Sequence, residues 1–223
     1  MSLTLETDGA ARFDRAALSI LSDLEAIADG QPGERAGLRL HNIAGLAGLL
    51  ASEGALGKLV AAHLGEACRP VRAILFDKTE ATNWALGWHQ DRTIVVRARH
   101  DIAGFGPWTV KAGMIHVEPP FALLDAMLTM RIHVDDVPED NAPLLIAPGS
   151  HRLGRIAEDE IESVVVRCGS RACLAARGDV WLYATPILHA SAASIRPARR
   201  RVLQIDFSAS ELPAPLRWLG LAD

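Results

Sequence analysis

Three histidines in the chain are each followed, two positions later, by an acidic residue. The pairs are His89 with Asp91, His116 with Glu118, and His133 with Asp135. On a β-strand, residues i and i+2 point to the same side, so each pair could aim an imidazole and a carboxylate at one point. Two such ligands and a histidine from another strand form the facial triad that binds non-haem iron(II) and leaves three positions open. The spacing indicates a metal site, and at most one pair is expected to form it.

The residues around each pair favour the first one. Glu118 is followed directly by the prolines 119–120, which are poor neighbours for a carboxylate held on a strand. Asp135 begins the acidic turn DDVPEDN, where we expect it to cap a loop. His89 and Asp91 lie between the runs WALGW and TIVV, which places them at a strand end with covered flanks.

The third ligand must come from a distant part of the chain. His189 lies in GDVWLYATPILHAS, and taken alone it would be interpreted as a core histidine. Arg200 follows eleven residues later, before the apolar run VLQIDF, and an antiparallel strand could bring it to the same cavity. Its planar guanidinium suits the far carboxylate of a dicarboxylate cosubstrate. By alternation, Arg199 and Arg201 are expected to point to the opposite face.

Hydrophobic periodicity changes near residue 69. Before it, apolar residues recur every three or four positions, which predicts a helical support over residues 1–68. After it, short apolar runs separated by glycines and prolines predict strands. Examples are residues 71–76, 93–98, 128–134, 144–148, 179–184 and 201–207. With helices expected at 119–127 and 157–164, this order predicts a mainly β jelly roll over 69–210, flanked by helices, within a single domain of residues 1–223.

Composition argues against several classes of protein. The 223 residues are 49 % hydrophobic and 22 % charged, as in an ordinary globular domain. A net charge of −4 without a basic stripe argues against nucleic-acid binding, and no apolar run is long enough for a membrane span. The three cysteines form no CxxC motif, so we expect free thiols and, with a polar N-terminus, a cytoplasmic protein. The oligomeric state stays open.

Three segments resemble the phytanoyl-CoA dioxygenase-like family of iron(II)- and 2-oxoglutarate-dependent oxygenases. They are FDKTEATNWALGWHQD, TMRIHVDDVPEDNAPLLIAPGSHRLG, and GDVWLYATPILHAS with the arginines that follow. The order HxD, PGSH, distal histidine, arginine is typical of that family, and the similarity covers roughly residues 70–208. The resemblance implies a double-stranded β-helix, the cupin-like jelly roll, with iron in its mouth.

The resemblance also implies roles for individual residues. His89, Asp91 and His189 would bind iron(II), and Arg200 would grip the far carboxylate of 2-oxoglutarate with help from Ser191. The implied enzyme is a dioxygenase that uses O2 to hydroxylate an unactivated C–H bond of a small molecule. The resemblance does not identify that substrate.

Other parts of the implied pocket are less well defined. Asn83 and Lys78, expected on the strand leading to His89, would lie near the cosubstrate. Arg131 stands where some relatives carry an aromatic residue, which leaves one wall of the pocket undefined. The glycine-rich segment Gly104–Gly113 is expected to be either a lid over the substrate or an ordinary connection.

Two other functions stay open at this point. Two histidines and a carboxylate with an open position also suit zinc, so a zinc-dependent hydrolase or isomerase is the first alternative, although it leaves Arg200 unexplained. The second is a non-enzymatic jelly-roll binding module whose histidines only pack. Dependence on O2 and 2-oxoglutarate separates the first alternative from the oxygenase. Iron binding that is lost when His89 or Asp91 is replaced by alanine would exclude the second.

Overall fold

The computed structural model describes residues 2–32, 37–196 and 198–222. The helices are α1 (Leu5–Asp8), α2 (Leu21–Asp29), α3 (Leu46–Leu49), α4 (Ala55–Leu64), α5 (Phe121–Asp125) and α6 (Ile161–Cys168). The strands are β1 (Ala10–Phe13), β2 (Leu38–Leu40), β3 (Arg69–Lys78), β4 (Leu86–His89), β5 (Ile94–Val96), β6 (Trp108–Lys111), β7 (Met114–Val117), β8 (Met127–His133), β9 (Leu144–Ile146), β10 (Arg171–Cys173), β11 (Val180–Ala184), β12 (His189–Ser191) and β13 (Arg200–Ser208). None of the helices in these ranges is long and apolar enough to cross a bilayer.

Two antiparallel sheets pack face to face. The larger has the strand order β1-β11-β8-β13-β3-β2, and the smaller has the order β10-β9-β12-β4. Leu144 and Ile146 of the smaller sheet share one buried cluster with Trp181, Tyr183 and Val202 of the larger. A third sheet, β5-β7-β6, lies beside them. This arrangement confirms the predicted mainly β jelly roll.

The helices of the N-terminal part cover the outer face of the larger sheet. Leu24 on α2 and Leu56 on α4 belong to the same core cluster as Met130, Ile132 and Ile205 on β8 and β13. Each such leucine contributes about 1.5–3 kcal/mol when it is fully removed from water. Because one hydrophobic core joins the N-terminal helices to the larger sheet, the packing supports the interpretation of a single domain.

The expectation of a purely helical support over residues 1–68 was wrong in one respect. This region also supplies β1, with Ala10 opposite Tyr183 of β11, and β2, with Leu38 opposite Leu75 of β3. Strands of three or four residues are too short to show an alternation distinct from a helical period. Both edges of the larger sheet therefore come from the N-terminal region.

Gly9, between α1 and β1, provides a test of this edge. Its φ is +74°, and a Cβ built there would lie 2.3 Å from Nδ1 of His151. Gly9→Ala should combine left-handed strain with overpacking and lower the free energy of unfolding by about 2–4 kcal/mol. Gly45, before α3, is also left-handed with a φ of +79° but has no atom near its Cβ position, so Gly45→Ala should cost only about 1–2 kcal/mol. Equal losses in urea unfolding of the two variants would contradict the contact with His151.

Candidate active site

Two imidazoles from distant parts of the chain face each other across the smaller sheet. β12 pairs with β4 so that His189 lies opposite His89, and the ring centroids are 4.3 Å apart. Nδ1 of His89 lies 2.8 Å from the Gly87 carbonyl oxygen, and Nδ1 of His189 lies 2.9 Å from the Ile187 carbonyl oxygen. A donated Nδ1–H leaves each Nε2 lone pair free to bind a metal. Burial lowers the pKa of His189 to about 4, which keeps that ring neutral.

Asp91 completes a group of three side chains that could hold a metal ion, referred to below as the metal-binding group. One ligand atom from each of Asp91, His89 and His189 lies within 4.8 Å of the others. Burial alone would raise the pKa of Asp91, but the nearby basic groups, of which Arg72 has the largest effect, together outweigh it and hold the pKa below its ordinary value. Nη2 of Arg72 donates to Oδ2 of Asp91 at 3.3 Å, while its Nε donates to the buried Asp206. The carboxylate is thus ionised and oriented, as a metal ligand must be.

A cavity of about 230 Å³ extends from these three side chains into the space between the two sheets. Alternate residues of β3 form one wall of it, since inward-facing positions on a strand are two residues apart. These residues are Arg72, Ile74, Phe76 and Lys78. Arg200 and Gln204 of β13 and Arg131 of β8 continue the same wall.

The deep end of the cavity holds two guanidinium groups with incomplete hydrogen bonding. Arg200 is only 2 % exposed, and its Nη1 donates to the Ala142 carbonyl. Nη1 of Arg131 donates to Gln204 at 2.8 Å. The Nε atoms of Arg131 and Arg200 have no partner among the described residues, and the same holds for both ring nitrogens of the adjacent His133. Buried donors without partners are costly, so an anionic ligand would be favoured at this end of the cavity.

Lys78 and Ser191 lie together beside Arg200. Nζ of Lys78 donates to Ser191 Oγ at 3.1 Å, to the Trp84 carbonyl at 2.7 Å and to the Ala192 carbonyl at 3.0 Å. Both side chains line the cavity, as does the ring of Trp84. Burial, with Arg200 and Arg131 nearby, lowers the pKa of Lys78 to about 8.

Asn83 is not brought to the cavity wall. Its amide donates to the Ser194 carbonyl at 3.0 Å and accepts from the Ser194 amide at 2.6 Å. It lies in the loop between β3 and β4, whereas Lys78 ends β3, so neither residue lies on the strand that carries His89. Asn83 thereby anchors the segment after β12 and is not among the residues that line the cavity.

The register of β13 gives Arg200, Arg201 and the preceding Arg199 different environments. Arg200 lies opposite Lys78 and faces the cavity. Arg199 forms ion pairs with Asp29 and Asp77, and Arg201 with Asp29 and Asp135, outside the cavity. The structure therefore places the neighbours on the opposite face, as alternation predicts.

The other two histidine–acid pairs do not converge on a metal. Asp135 accepts hydrogen bonds from Arg201, including one from its backbone amide at 2.7 Å. Glu118 pairs with Arg155 at 2.9 Å on the surface. Gly104–Gly113 is not a plain connection, because its second half forms β6 in an antiparallel hairpin with β7.

Sequence reasoning missed several residues of the site. They are Arg72 and Asp206, which support Asp91, and Arg39, Thr93 and Lys111, which line the cavity. A usable signal existed for the first two, since charged residues within the apolar runs VRAILF and VLQIDF must find partners if they are buried. Which charge pairs with which could not be derived, because it depends on strand order.

Comparison with solved structures shows a shared fold. EctD from S. alaskensis, in its apoform, is 19 % identical with a TM-score of 0.63, and the alignment covers 98 % of this chain and 79 % of that one. HygX from Streptomyces hygroscopicus, crystallised with nickel and 2-oxoglutarate, is 16 % identical with a TM-score of 0.60 and coverage of 100 % and 97 %. The epimerase SnoN, in complex with Fe3+, alpha ketoglutarate and nogalamycin RO, is 14 % identical with a TM-score of 0.64 and coverage of 95 % and 88 %.

The comparison of sequences is more specific. No curated protein matches the chain at a significant level. The family model for phytanoyl-CoA dioxygenase (PhyH), however, matches residues 46–202, which is well over half of the chain. That span contains all three residues of the metal-binding group and the buried Arg200. The chain therefore belongs to the phytanoyl-CoA dioxygenase family.

Proposed function

We propose that the chain is an iron(II)- and 2-oxoglutarate-dependent dioxygenase that hydroxylates a C–H bond of a small molecule. One observation carries the proposal: a two-histidine, one-carboxylate group and a buried arginine with an unpaired Nε line one cavity. Family membership supports it, and so do the iron and 2-oxoglutarate named for structures that share the fold.

The residues present fit an iron(II) ion. His89 and His189 would each bind it through Nε2, and Asp91 through the oxygen that Arg72 does not hold. Two imidazoles and one carboxylate leave part of the coordination sphere open, which is the donor set of non-haem iron(II) oxygenases. Arg72 would keep the carboxylate aimed at the ion, since an arginine fork restrains an oxygen better than a flexible lysine does.

The deep end of the cavity fits 2-oxoglutarate. Arg200 and Arg131 would donate to its far carboxylate, and their Nε atoms lack other partners. Lys78, held by Ser191, adds a third positive charge. Burial lowers the pKa of Arg200, but a guanidinium starts from so high a value that it stays charged at neutral pH. Three cations around one end of the cavity would fix the length and direction of the bound dicarboxylate.

The chemistry supplied by bound iron(II) and 2-oxoglutarate is the reduction of O2, with decarboxylation to succinate and hydroxylation of the substrate. The protein supplies position and a dry environment. Ile74, Phe76 and Leu144 are apolar residues of the cavity lining and would limit access of water. Because Asp91 would occupy a position that a halide needs, hydroxylation is favoured over halogenation.

The alternatives explain less of the site. A zinc hydrolase needs the metal-binding group but has no use for a buried, incompletely bonded Arg200. A module whose histidines only pack would not need both rings to bond a carbonyl through Nδ1 and to bring a ligand atom within 4.8 Å of one from Asp91.

The first test is anaerobic titration with iron(II) and 2-oxoglutarate. We expect the weak visible charge-transfer band of the iron–cosubstrate chelate in the wild type, and its loss in Asp91→Ala and His189→Ala. His63, which is exposed on α4, provides the control variant His63→Ala, which should keep the band. Absence of the band in a folded wild type, or succinate release without dependence on O2, would contradict the proposal.

The second test concerns the cosubstrate arginine. Arg200→Gln should weaken 2-oxoglutarate binding about 10- to 100-fold, because it removes charge-assisted hydrogen bonds in a buried site. The adjacent Arg199→Gln, which faces the opposite side, should change the same dissociation constant less than about twofold. Equal effects of the two substitutions would show that Arg200 has no special role.

The third test is the pH dependence of cosubstrate binding. Lys78 faces Arg200 and Arg131, and its pKa is about 8 in the free protein. Above that pH, binding of the anion requires uptake of a proton, so the dissociation constant of 2-oxoglutarate should rise between pH 8 and 9.5, by no more than about tenfold per pH unit. Lys78→Met should bind more weakly at pH 7 and show a flatter profile. Lys58→Met, at an exposed position of α4, should keep the wild-type profile.

A further inference from the structure

The cavity carries more positive charge than the proposed cosubstrate requires. The basic residues that line it are Arg39, Arg72, Lys78, Lys111, Arg131 and Arg200. Within the described part of the chain, Asp91 is the only acidic residue of the lining. Arg72 is balanced by Asp206 and Asp91, and three of the other cations surround the deep end. Arg39 and Lys111 are left over, on β2 and at the end of β6.

Arg39 and Lys111 have no acidic partner among the described residues. Arg39 donates from Nε to His116 Nε2 at 3.4 Å. Neither Arg39 nor Lys111 forms an ion pair within the described part of the chain. Burial and the charge of Arg72 lower the pKa of Arg39, whereas the charge of Asp91 raises it. The Arg39 guanidinium is therefore close enough to the metal-binding group to interact electrostatically with the Asp91 carboxylate. A ligand held by Arg39 would lie within reach of that centre.

A neutral group orients Arg39. His116 is completely buried, and burial lowers its pKa to about 4. Its Nδ1 lies 3.0 Å from the Met114 carbonyl, so Nδ1 carries the proton and Nε2 accepts from Arg39. A carboxylate in this place would orient the guanidinium and also cancel its charge. The imidazole orients it and leaves the charge and both Nη groups to a ligand.

We propose that the substrate carries an oxyanion group, a carboxylate or a phosphate, that binds to Arg39 and Lys111 at the mouth of the cavity. The reaction of this substrate rests on the proposed function, whereas the binding of its oxyanion group does not. Arg39 would form the directed, two-pronged contact, and the exposed Lys111 on the β6–β7 hairpin would add charge. A cavity of about 230 Å³ restricts the rest of the substrate to a small molecule.

The test is calorimetric titration of the anaerobic protein saturated with iron(II) and 2-oxoglutarate, at low ionic strength because salt screens exposed charges. The probes are acetate and methyl phosphate, with acetamide as the neutral match for acetate. We expect at least one anion to bind more tightly than acetamide. Arg39→Gln should weaken that binding about tenfold, and Lys111→Gln about threefold. The tighter anion identifies the group.

Arg167→Gln is the matched control, because Arg167 is exposed at the end of α6 and does not line the cavity. It should bind the anions as the wild type does. The inference is overturned if neither anion exceeds acetamide, or if Arg39→Gln binds like Arg167→Gln. If Arg39→Gln does not fold, Arg39→Lys and the exposed Lys111→Gln replace it. Weaker anion binding than in Arg167→Gln then supports the inference, and equal binding overturns it. The visible band reports on the iron–cosubstrate chelate alone, so failure of the proposed function is recognised separately.

Discussion

Antiparallel pairing of β12 with β4 sets His189 opposite His89 although one hundred residues separate them. Both belong to the smaller sheet, whereas Arg72, which holds Asp91, belongs to the larger. The metal-binding group therefore keeps its shape only while the two sheets keep their spacing. Buried side chains between the sheets, such as Ile146 and Trp181, fix that spacing. Because protein interiors are packed as densely as organic crystals, the positions of His89 and His189 depend on the core, whereas Asp91, in the loop after β4, is held in place by Arg72.

Electrostatics impose the second constraint. Placing Lys78, Arg131 and Arg200 around one buried end carries a desolvation penalty that an unpaired charge cannot recover. The same low dielectric strengthens any hydrogen bond that an anionic ligand makes there. The three cations therefore lower the stability of the ligand-free protein and raise its affinity for an anionic ligand. A ligand that binds only the folded state also returns part of that stability by mass action.

Local patterns predicted those features that depend on local geometry. The strands at 71–76, 128–134, 179–184 and 201–207 lie within β3, β8, β11 and β13 or match them closely, and two-residue alternation placed Arg200 on a different face from Arg199 and Arg201. The short edge strands in the prefix were missed because they depend on partners far along the chain. The contacts of Arg72 with Asp206 and of Arg39 with His116 were missed for the same reason. Each of these contacts depends on strand order, which no local period encodes.

The central position of β13 in the larger sheet has a consequence for how the protein is made. Of the strands described, β13 is the last along the chain, yet it lies between β8 and β3. During synthesis, these two strands must wait with open edges until residue 208 has left the ribosome, and open edges favour aggregation. Pairings between distant residues also form slowly. The late strand carries Arg200 and Asp206, so completion of the larger sheet and of the cavity wall is one event, and a nascent chain halted earlier has neither.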